Sequence, residues 1–147
     1  MKRIARSAIV EHAAEEVYGI VENIEAYPEF LPWCRAAEVH ERGPGRTVAT
    51  ITVGMRAVRQ SFTTENANRP GTGIDLRLVK GPFRRFSASW RFTALGERAA
   101  KIEFSMEYEF SSRVLGKVLE PVFDHIADTM VSSFSRRADQ LYGQHPG

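Results

Sequence analysis

Hydrophobic and polar residues alternate through most of the middle of the chain, a pattern typical of half-buried β-strands. The clearest case is KIEFSMEYEF at residues 101–110, where the apolar side chains share one face and most charges share the other. Similar runs, separated by turns rich in glycine and proline, predict about six consecutive strands from residue 35 to residue 110. Looser alternation predicts a further short strand at residues 3–10. Short links between successive strands favour an antiparallel meander.

Two segments show helical spacing instead of strand alternation. Apolar residues recur every three or four positions from Val17 to Ile24, directly after the first predicted strand. A longer apolar stripe from Leu115 to Leu141 predicts one long C-terminal helix. Pro121 lies inside this stripe and either kinks the helix or starts its main segment.

The order of these elements predicts an α+β fold. We expect a curved antiparallel sheet of about six to seven strands around a long C-terminal helix, with short helices after the first strand. No linker or repeat divides the chain, so residues 1–147 are expected to form a single domain, with residues 143–147 as a flexible tail.

The segment YPEFLPWC at residues 27–34 is unusual because it combines three aromatic residues, two prolines and the single cysteine. Prolines fix the backbone and remove hydrogen-bond donors, so this segment ends the preceding helix. We expect a loop that covers the open end of a cavity, with four apolar side chains at its border: Tyr27, Phe30, Leu31 and Trp33.

A single helix over a bent sheet does not fill the space beneath it, and apolar pockets with aromatic walls are common ligand sites. A solid core remains the alternative. The inward-facing positions predicted to line the cavity are Phe62, Leu76, Phe86, Trp90, Phe104, Met106, Tyr108, Phe123, Ile126, Met130 and Phe134. Tyr27, Trp90 and Tyr108 are candidates to contact the polar head of a ligand.

Charge and composition add little about partners. Twenty basic and 18 acidic residues give a net charge of +2, and the apolar stretches are too short for a signal peptide or a membrane span, so a cytoplasmic protein is expected. Basic residues cluster at Lys80, Arg84 and Arg85, where they could meet an anionic partner such as RNA or lipid. An ordinary charged surface is the alternative.

Catalytic groups are sparse in the sequence. Cys34 is the single thiol, and a buried packing role is favoured over a nucleophile. Asp124, His125 and Asp128 could in principle hold a cation on one helix, but no second ligand set is found, so we expect no metal.

Three stretches together resemble the coenzyme Q-binding, START-like family within the polyketide cyclase and lipid transport superfamily. They are IARSAIVEHAAEEVYGIVENIEAYPEFLPWC, LVKGPFRRFSASWRFTAL and IEFSMEYEF before the final helix, and the resemblance spans residues 4–142. It implies a helix-grip fold whose cavity takes a polyprenyl quinone such as ubiquinone, or a lipid, in support of respiratory quinone function.

The family resemblance leaves the function open. One bacterial branch is described as a toxin that binds the large ribosomal subunit and blocks subunit association, and here Lys80, Arg84 and Arg85 would be its contacts. Other relatives carry the name of an oligoketide cyclase, for which this chain offers no acid–base pair. We therefore expect a non-catalytic protein with no cofactor beyond its bound ligand, with transient contact to a membrane surface and with no DNA partner.

Overall fold

The computed structural model describes residues 1–143, so most of the predicted flexible tail lies outside the described residues. Residues 1–143 form seven strands, three α-helices and one short 3-10 helix at Ile24–Ala26. The strands are β1 (Lys2–Val10), β2 (Cys34–Gly43), β3 (Arg46–Met55), β4 (Val58–Arg69), β5 (Gly73–Lys80), β6 (Phe83–Gly96) and β7 (Ala99–Phe110). The helices are α1 (Ala14–Glu22), α2 (Tyr27–Phe30) and α3 (Arg113–Tyr142).

All seven strands belong to one antiparallel sheet in the order β1-β7-β6-β5-β4-β3-β2. The meander from β2 to β7 pairs each strand with the next, and β1 closes on β7. The predicted α+β helix-grip architecture is confirmed, because this sheet wraps around the single long helix α3. The strands end close to the turns expected from glycine and proline.

Helix α3 runs without interruption through Pro121, so the alternative in which its main segment starts at Pro121 is wrong. The helix begins earlier because the hydroxyl of Ser112 accepts a hydrogen bond from the backbone of Leu115, at 3.2 Å. It ends at Tyr142. The N–H of the next residue, Gly143, still donates to the carbonyl of Asp139 at 2.8 Å, and the positive φ of Gly143, 77°, turns the chain out of the helix.

Polar contacts hold α3 alongside β1. Lys2 Nζ lies 2.5 Å from Asp124, and an Arg6 guanidinium nitrogen lies 3.1 Å from Asp128. His12 Nε2 lies 2.7 Å from Asp139 further along the helix. These pairs place the start of α3 beside the start of β1, so the two elements run in the same direction.

Aromatic rings close the end of the fold where β7 passes into α3. Phe83 packs edge-on against Phe123 and stacks on Phe110, with both pairs of ring centroids 5.3 Å apart. Phe62 joins them at 5.6 Å from Phe83. At the opposite end of the fold, helix α1 buries its residues Val17 and Val21 on the concave side of the sheet.

Candidate functional site

The space between the concave face of the sheet and α3 is a cavity with an empty volume of about 660 Å³, part of it open to solvent. It lies between the aromatic end and α1. Its walls come from the segment between α1 and β2, from the inward faces of β3 to β7, and from α3. The lining residues are Ile24, Tyr27, Trp33, Ala49, Ile51, Val53, Phe62, Thr64, Asn66, Leu76, Phe86, Ala88, Trp90, Phe104, Met106, Phe123, Ile126, Met130 and Phe134.

Strand alternation explains why most of the predicted residues reach this space. On β6, Phe86, Ala88 and Trp90 all point inward, because successive side chains of a strand point to opposite faces. The predicted residues found in the lining are Tyr27, Trp33, Phe62, Leu76, Phe86, Trp90, Phe104, Met106, Phe123, Ile126, Met130 and Phe134.

Phe30 and Leu31 lie outside the lining, which corrects the expectation that they border the cavity. The segment folds as helix α2, and this turn directs Phe30 against α3, with its ring 5.2 Å from that of Phe134. The Arg137 guanidinium lies 4.9 Å from the Phe30 ring centroid. Leu31 is fully buried in the core next to α2.

Tyr108 also lies outside the lining, which corrects two expectations: that it lines the cavity and that it contacts a ligand head. Its ring packs into the aromatic end against Phe83, Phe110 and Phe123. Burial raises the pKa of its hydroxyl. The side chain points inward as β7 alternation requires, but it lies nearer the end of the strand than the cavity reaches.

Tyr27 lines the cavity with its ring, while its hydroxyl is already engaged. The hydroxyl donates to the carbonyl of Val21, and burial raises its pKa well above the ordinary range. The phenol therefore serves to fix the segment after α1 rather than to contact a ligand head. This outcome corrects its assignment as a head-group contact.

Two polar side chains in the lining were missed by the sequence analysis. Thr64 and Asn66 follow Phe62 on the inward face of β4, and both are buried. The Thr64 hydroxyl donates to Asn66 Oδ1 at 2.7 Å. The signal was present in the sequence, since the alternation that directs Phe62 inward also directs residues 64 and 66 inward.

No charged side chain and no histidine lines the cavity within residues 1–143. The remaining polar feature is the indole N–H of Trp33, which is 2% exposed and makes no hydrogen bond in that part of the chain. Such a surface can bind apolar groups and donate a few hydrogen bonds. It offers no pair of groups for acid–base chemistry.

The single thiol is unsuited to nucleophilic chemistry. Cys34 is buried at the start of β2, and burial raises the pKa of its thiol to about 11. Because the thiolate is the reactive form, the side chain is inert near neutral pH.

The candidate cation ligands on α3 are engaged in ion pairs. Asp124 binds Lys2 and Asp128 binds Arg6, as the packing of α3 on β1 requires. Among the described residues, no group of histidine, cysteine and acidic side chains could hold a metal ion. No described helix is both long enough and apolar enough to cross a membrane.

The predicted basic cluster lies on the outside of the fold, at the same end as the aromatic rings. Lys80, Arg84 and Arg85 are exposed around the turn between β5 and β6. The backbone N–H of Ser111 donates to the carbonyl of Pro82 at 2.9 Å, which brings the start of α3 next to this turn.

That junction adds two exposed cations which the sequence analysis did not connect with the cluster. We call the combined surface the basic patch: Lys80, Arg84, Arg85, Arg113 and Lys117. Arg84 lies 3.7 Å from Glu109, and within residues 1–143 the other four make no ion pair. The patch therefore has free positive charge for an anionic partner.

Comparison with known proteins gives a consistent family. The family model described as "Polyketide cyclase / dehydrase and lipid transport" matches residues 10–135. The chain is 39% identical over 144 residues to the ribosome association toxin RatA of Vibrio cholerae, covering 98% of this chain and 100% of the relative.

Two further matches bear on the fold and the cavity. The coenzyme Q-binding protein COQ10 homolog B, mitochondrial, of Xenopus laevis is 28% identical, covering 97% of this chain and 61% of the relative. The solved Zhui aromatase/cyclase of a Streptomyces species superposes with a TM-score of 0.84 at 16% identity, covering 96% of this chain and 95% of that chain. The family match, the relatives and the shared architecture together show that this chain belongs to the polyketide cyclase, dehydrase and lipid transport family of START-like proteins.

Proposed function

We propose that this protein is a non-catalytic binding protein that holds a polyprenyl quinone such as ubiquinone, or a lipid, between its sheet and α3. In this role it supports respiratory quinone function. The observation that carries the proposal is the character of the cavity, which is lined almost wholly by aliphatic and aromatic side chains. Apolar pockets with aromatic walls are typical of sites for small apolar ligands.

The energetics favour an apolar ligand. Burial of apolar surface yields about 25 cal/mol per Å², so about 300 Å² of ligand surface yields roughly 7 kcal/mol before ordering costs. A ligand with a long polyprenyl tail would leave most of that tail outside the cavity.

Two observations support a binding role over an enzymatic one. A relative across nearly the whole chain is named a coenzyme Q-binding protein. The cavity lining within residues 1–143 contains no group that could exchange protons near neutral pH, so we rank a cyclase activity below binding. Because a polyprenyl ligand resides in a bilayer, loading also implies a brief contact with a membrane surface.

The test is direct binding. The purified protein is extracted with organic solvent and the extract is analysed for quinones and lipids. The stripped protein is then titrated with a short-chain ubiquinone while tryptophan fluorescence is followed, because Trp33 and Trp90 both line the cavity. Saturable quenching at one ligand per chain is expected. An empty extract together with no quenching would contradict the proposal.

A second candidate function is association with the large ribosomal subunit, which would block subunit joining. Two observations favour it. The relatives with 34–39% identity include proteins named ribosome association toxin, and the basic patch presents four cations that the rest of the described chain does not neutralise. Contacts between cations and RNA phosphates depend strongly on salt.

This candidate is tested by sedimentation with purified large subunits at increasing salt. Arg84→Glu combined with Arg85→Glu should abolish co-sedimentation. Arg98→Glu is the matched control, because Arg98 is an exposed arginine on the turn between β6 and β7 at the other end of the sheet. Equal sedimentation of both variants would exclude the basic patch as the contact.

A further inference from the structure

Four polar side chains lie at the α1 end of the cavity, where Thr64 and Asn66 line the main space while Thr47, Asn66 and Asn68 line a small adjoining one. We call this set the polar floor: Thr47, Thr64, Asn66 and Asn68. A small second space adjoins the main cavity here and shares Asn66, Tyr27 and Trp90 with it. Asn66 therefore lies at the junction of the two spaces.

Hydrogen bonds within the polar floor orient the Asn66 amide. Thr64 donates to Asn66 Oδ1 at 2.7 Å, and the Asn68 amide donates to the Thr47 hydroxyl at 2.9 Å. The oxygen of Asn66 is thus engaged, whereas its amide nitrogen makes no hydrogen bond with any part of residues 1–143. Asn66 is only 5% exposed. Because Asn66 lines both spaces, its amide N–H groups are available to donate to an acceptor placed in the cavity.

We propose that the Asn66 amide recognises a neutral hydrogen-bond acceptor, a carbonyl oxygen of a quinone, ketone or ester, on the head of the bound ligand. This inference rests on the proposed function and specifies the ligand class. The head lies against the polar floor beneath the segment after α1, with Trp90 beside it. The apolar tail follows the wall formed by Phe123, Ile126 and Met130 of α3.

The charge of the lining decides against an acidic head. No lysine, arginine or histidine of the described chain lines either cavity. A carboxylate or phosphate placed here would lose its hydration without gaining a counter-charge, which is strongly unfavourable. A neutral carbonyl loses little hydration and gains one or two amide donors. Fatty acids and phospholipid heads are therefore excluded from the polar floor.

The experiment compares three ligands of similar size on the stripped protein: a short-chain ubiquinone, an isoprenoid hydrocarbon that lacks acceptors, and a fatty acid at about pH 8, where it is ionised. Affinities are measured by calorimetry and by competition. Asn66→Leu should weaken quinone binding about tenfold and leave hydrocarbon binding unchanged. In the wild type, the fatty acid should bind at least tenfold more weakly than the quinone.

A second variant provides the same test if Asn66→Leu does not fold. Thr64→Val removes the hydroxyl that orients Asn66 and should weaken quinone binding severalfold. Thr52→Val is its matched control, because Thr52 lies on the outward face of β3 with its hydroxyl bonded to Ser61 at 2.7 Å. The side-chain amide resonance of Asn66 should also shift when the quinone binds but not when the hydrocarbon binds.

Each outcome separates this inference from the proposed function. If Asn66→Leu binds the quinone as tightly as the wild type, the polar floor is not the head-group site, and the cavity proposal stands. If Asn66→Leu does not fold, the same conclusion follows from unchanged quinone binding by Thr64→Val. Equal affinity of the wild type for fatty acid and quinone would overturn the neutral-head class. Failure of the wild type to bind either quinone or hydrocarbon would overturn the proposed function itself.

Discussion

The thiol of Cys34 has a pKa well above its ordinary value, and the stability of the protein at alkaline pH therefore depends on this group. Burial raises the pKa of the thiol from 9.0 to about 11 in the folded chain. The unfolded chain therefore loses this proton first. The free energy of unfolding is unaffected by the thiol below pH 9.0 and decreases as the pH rises from there towards about 11.

We expect the wild type to lose about 1 kcal/mol more stability than Cys34→Ala between about pH 8 and about pH 10.5, after allowance for partial solvent screening. Urea unfolding at the two pH values measures the difference. The comparison isolates the thiol together with its effect on Tyr27, because burial and the neighbouring Cys34 both raise the pKa of that tyrosine. Identical pH profiles would show that the thiol titrates normally in the folded protein.

Tyr27 connects the segment after α1 to the cavity wall through its hydroxyl. Tyr27→Phe removes the donor to the Val21 carbonyl and leaves that buried acceptor without its partner. We expect a loss of about 1 kcal/mol in the free energy of unfolding, measured by urea denaturation. Tyr142→Phe, at an exposed tyrosine near the end of α3, serves as the control and should change stability little.

For single residues, the sequence predicted which face of a strand a side chain occupies better than whether that side chain reaches the cavity. Alternation placed Phe86 and Trp90 on the inward face, and both line the cavity. Alternation also predicted correctly that Tyr108 faces inward. The position along β7 at which the cavity ends depends on how Phe83 packs against Phe123, and no local sequence pattern encodes that packing. Asn66 has the same strand parity as Phe62 and therefore also faces inward, but a polar residue at an inward position does not stand out in a pattern of apolar residues.

Helix α2 is the element whose attachment governs one side of the cavity. It has only four residues, none of them fully buried, so its stability depends on tertiary contacts. Phe30 supplies these by packing on Phe134 of α3 and beneath the Arg137 guanidinium. Tyr27, in the same helix, packs against Phe134 at 5.4 Å and lines the cavity.

Phe30→Ala should therefore loosen α2 and accelerate both binding and release of a cavity ligand. Stopped-flow quenching with a short-chain ubiquinone measures the two rates, and we expect increases of roughly tenfold. Glu29→Gln is the control: its exposed ion pair with Arg137, at 3.3 Å, should contribute almost nothing. Unchanged rates in Phe30→Ala would show that ligands do not pass α2.

The elements themselves followed closely from the sequence. Strand periodicity and turn residues gave β2 to β7 in order, because each strand has one face in the core and one in water. The short helix at YPEF was not separately resolved in the sequence, since its four residues are too few for a periodic pattern. The continuity of α3 through Pro121 also depends on tertiary packing.

At the scale of the whole molecule, the cavity and the basic patch occupy different surfaces. The cavity faces inward between the sheet and α3, whereas the patch lies outside the aromatic end, around the turn between β5 and β6. The aromatic rings between them include Phe83 and Phe110. The two proposed sites therefore do not overlap, and an apolar ligand in one leaves the other open to an anionic partner.

This separation predicts that the two activities can be removed independently. Ala88→Phe fills the cavity from the inward face of β6 and should abolish quinone binding, while co-sedimentation with the large ribosomal subunit is unchanged. Arg84→Glu with Arg85→Glu should have the opposite effect. Ser87→Phe, the neighbouring residue on the outward face, is the control for added bulk on β6.

Loss of both activities in a correctly folded Ala88→Phe protein would contradict independence, because it would mean that the state of the cavity controls the basic patch. Circular dichroism and thermal unfolding verify the fold of each variant before binding is compared. If the two sites are independent, quinone should also leave the affinity for the ribosomal subunit unchanged in the wild type, since a ligand acts on a second site only through a free-energy coupling.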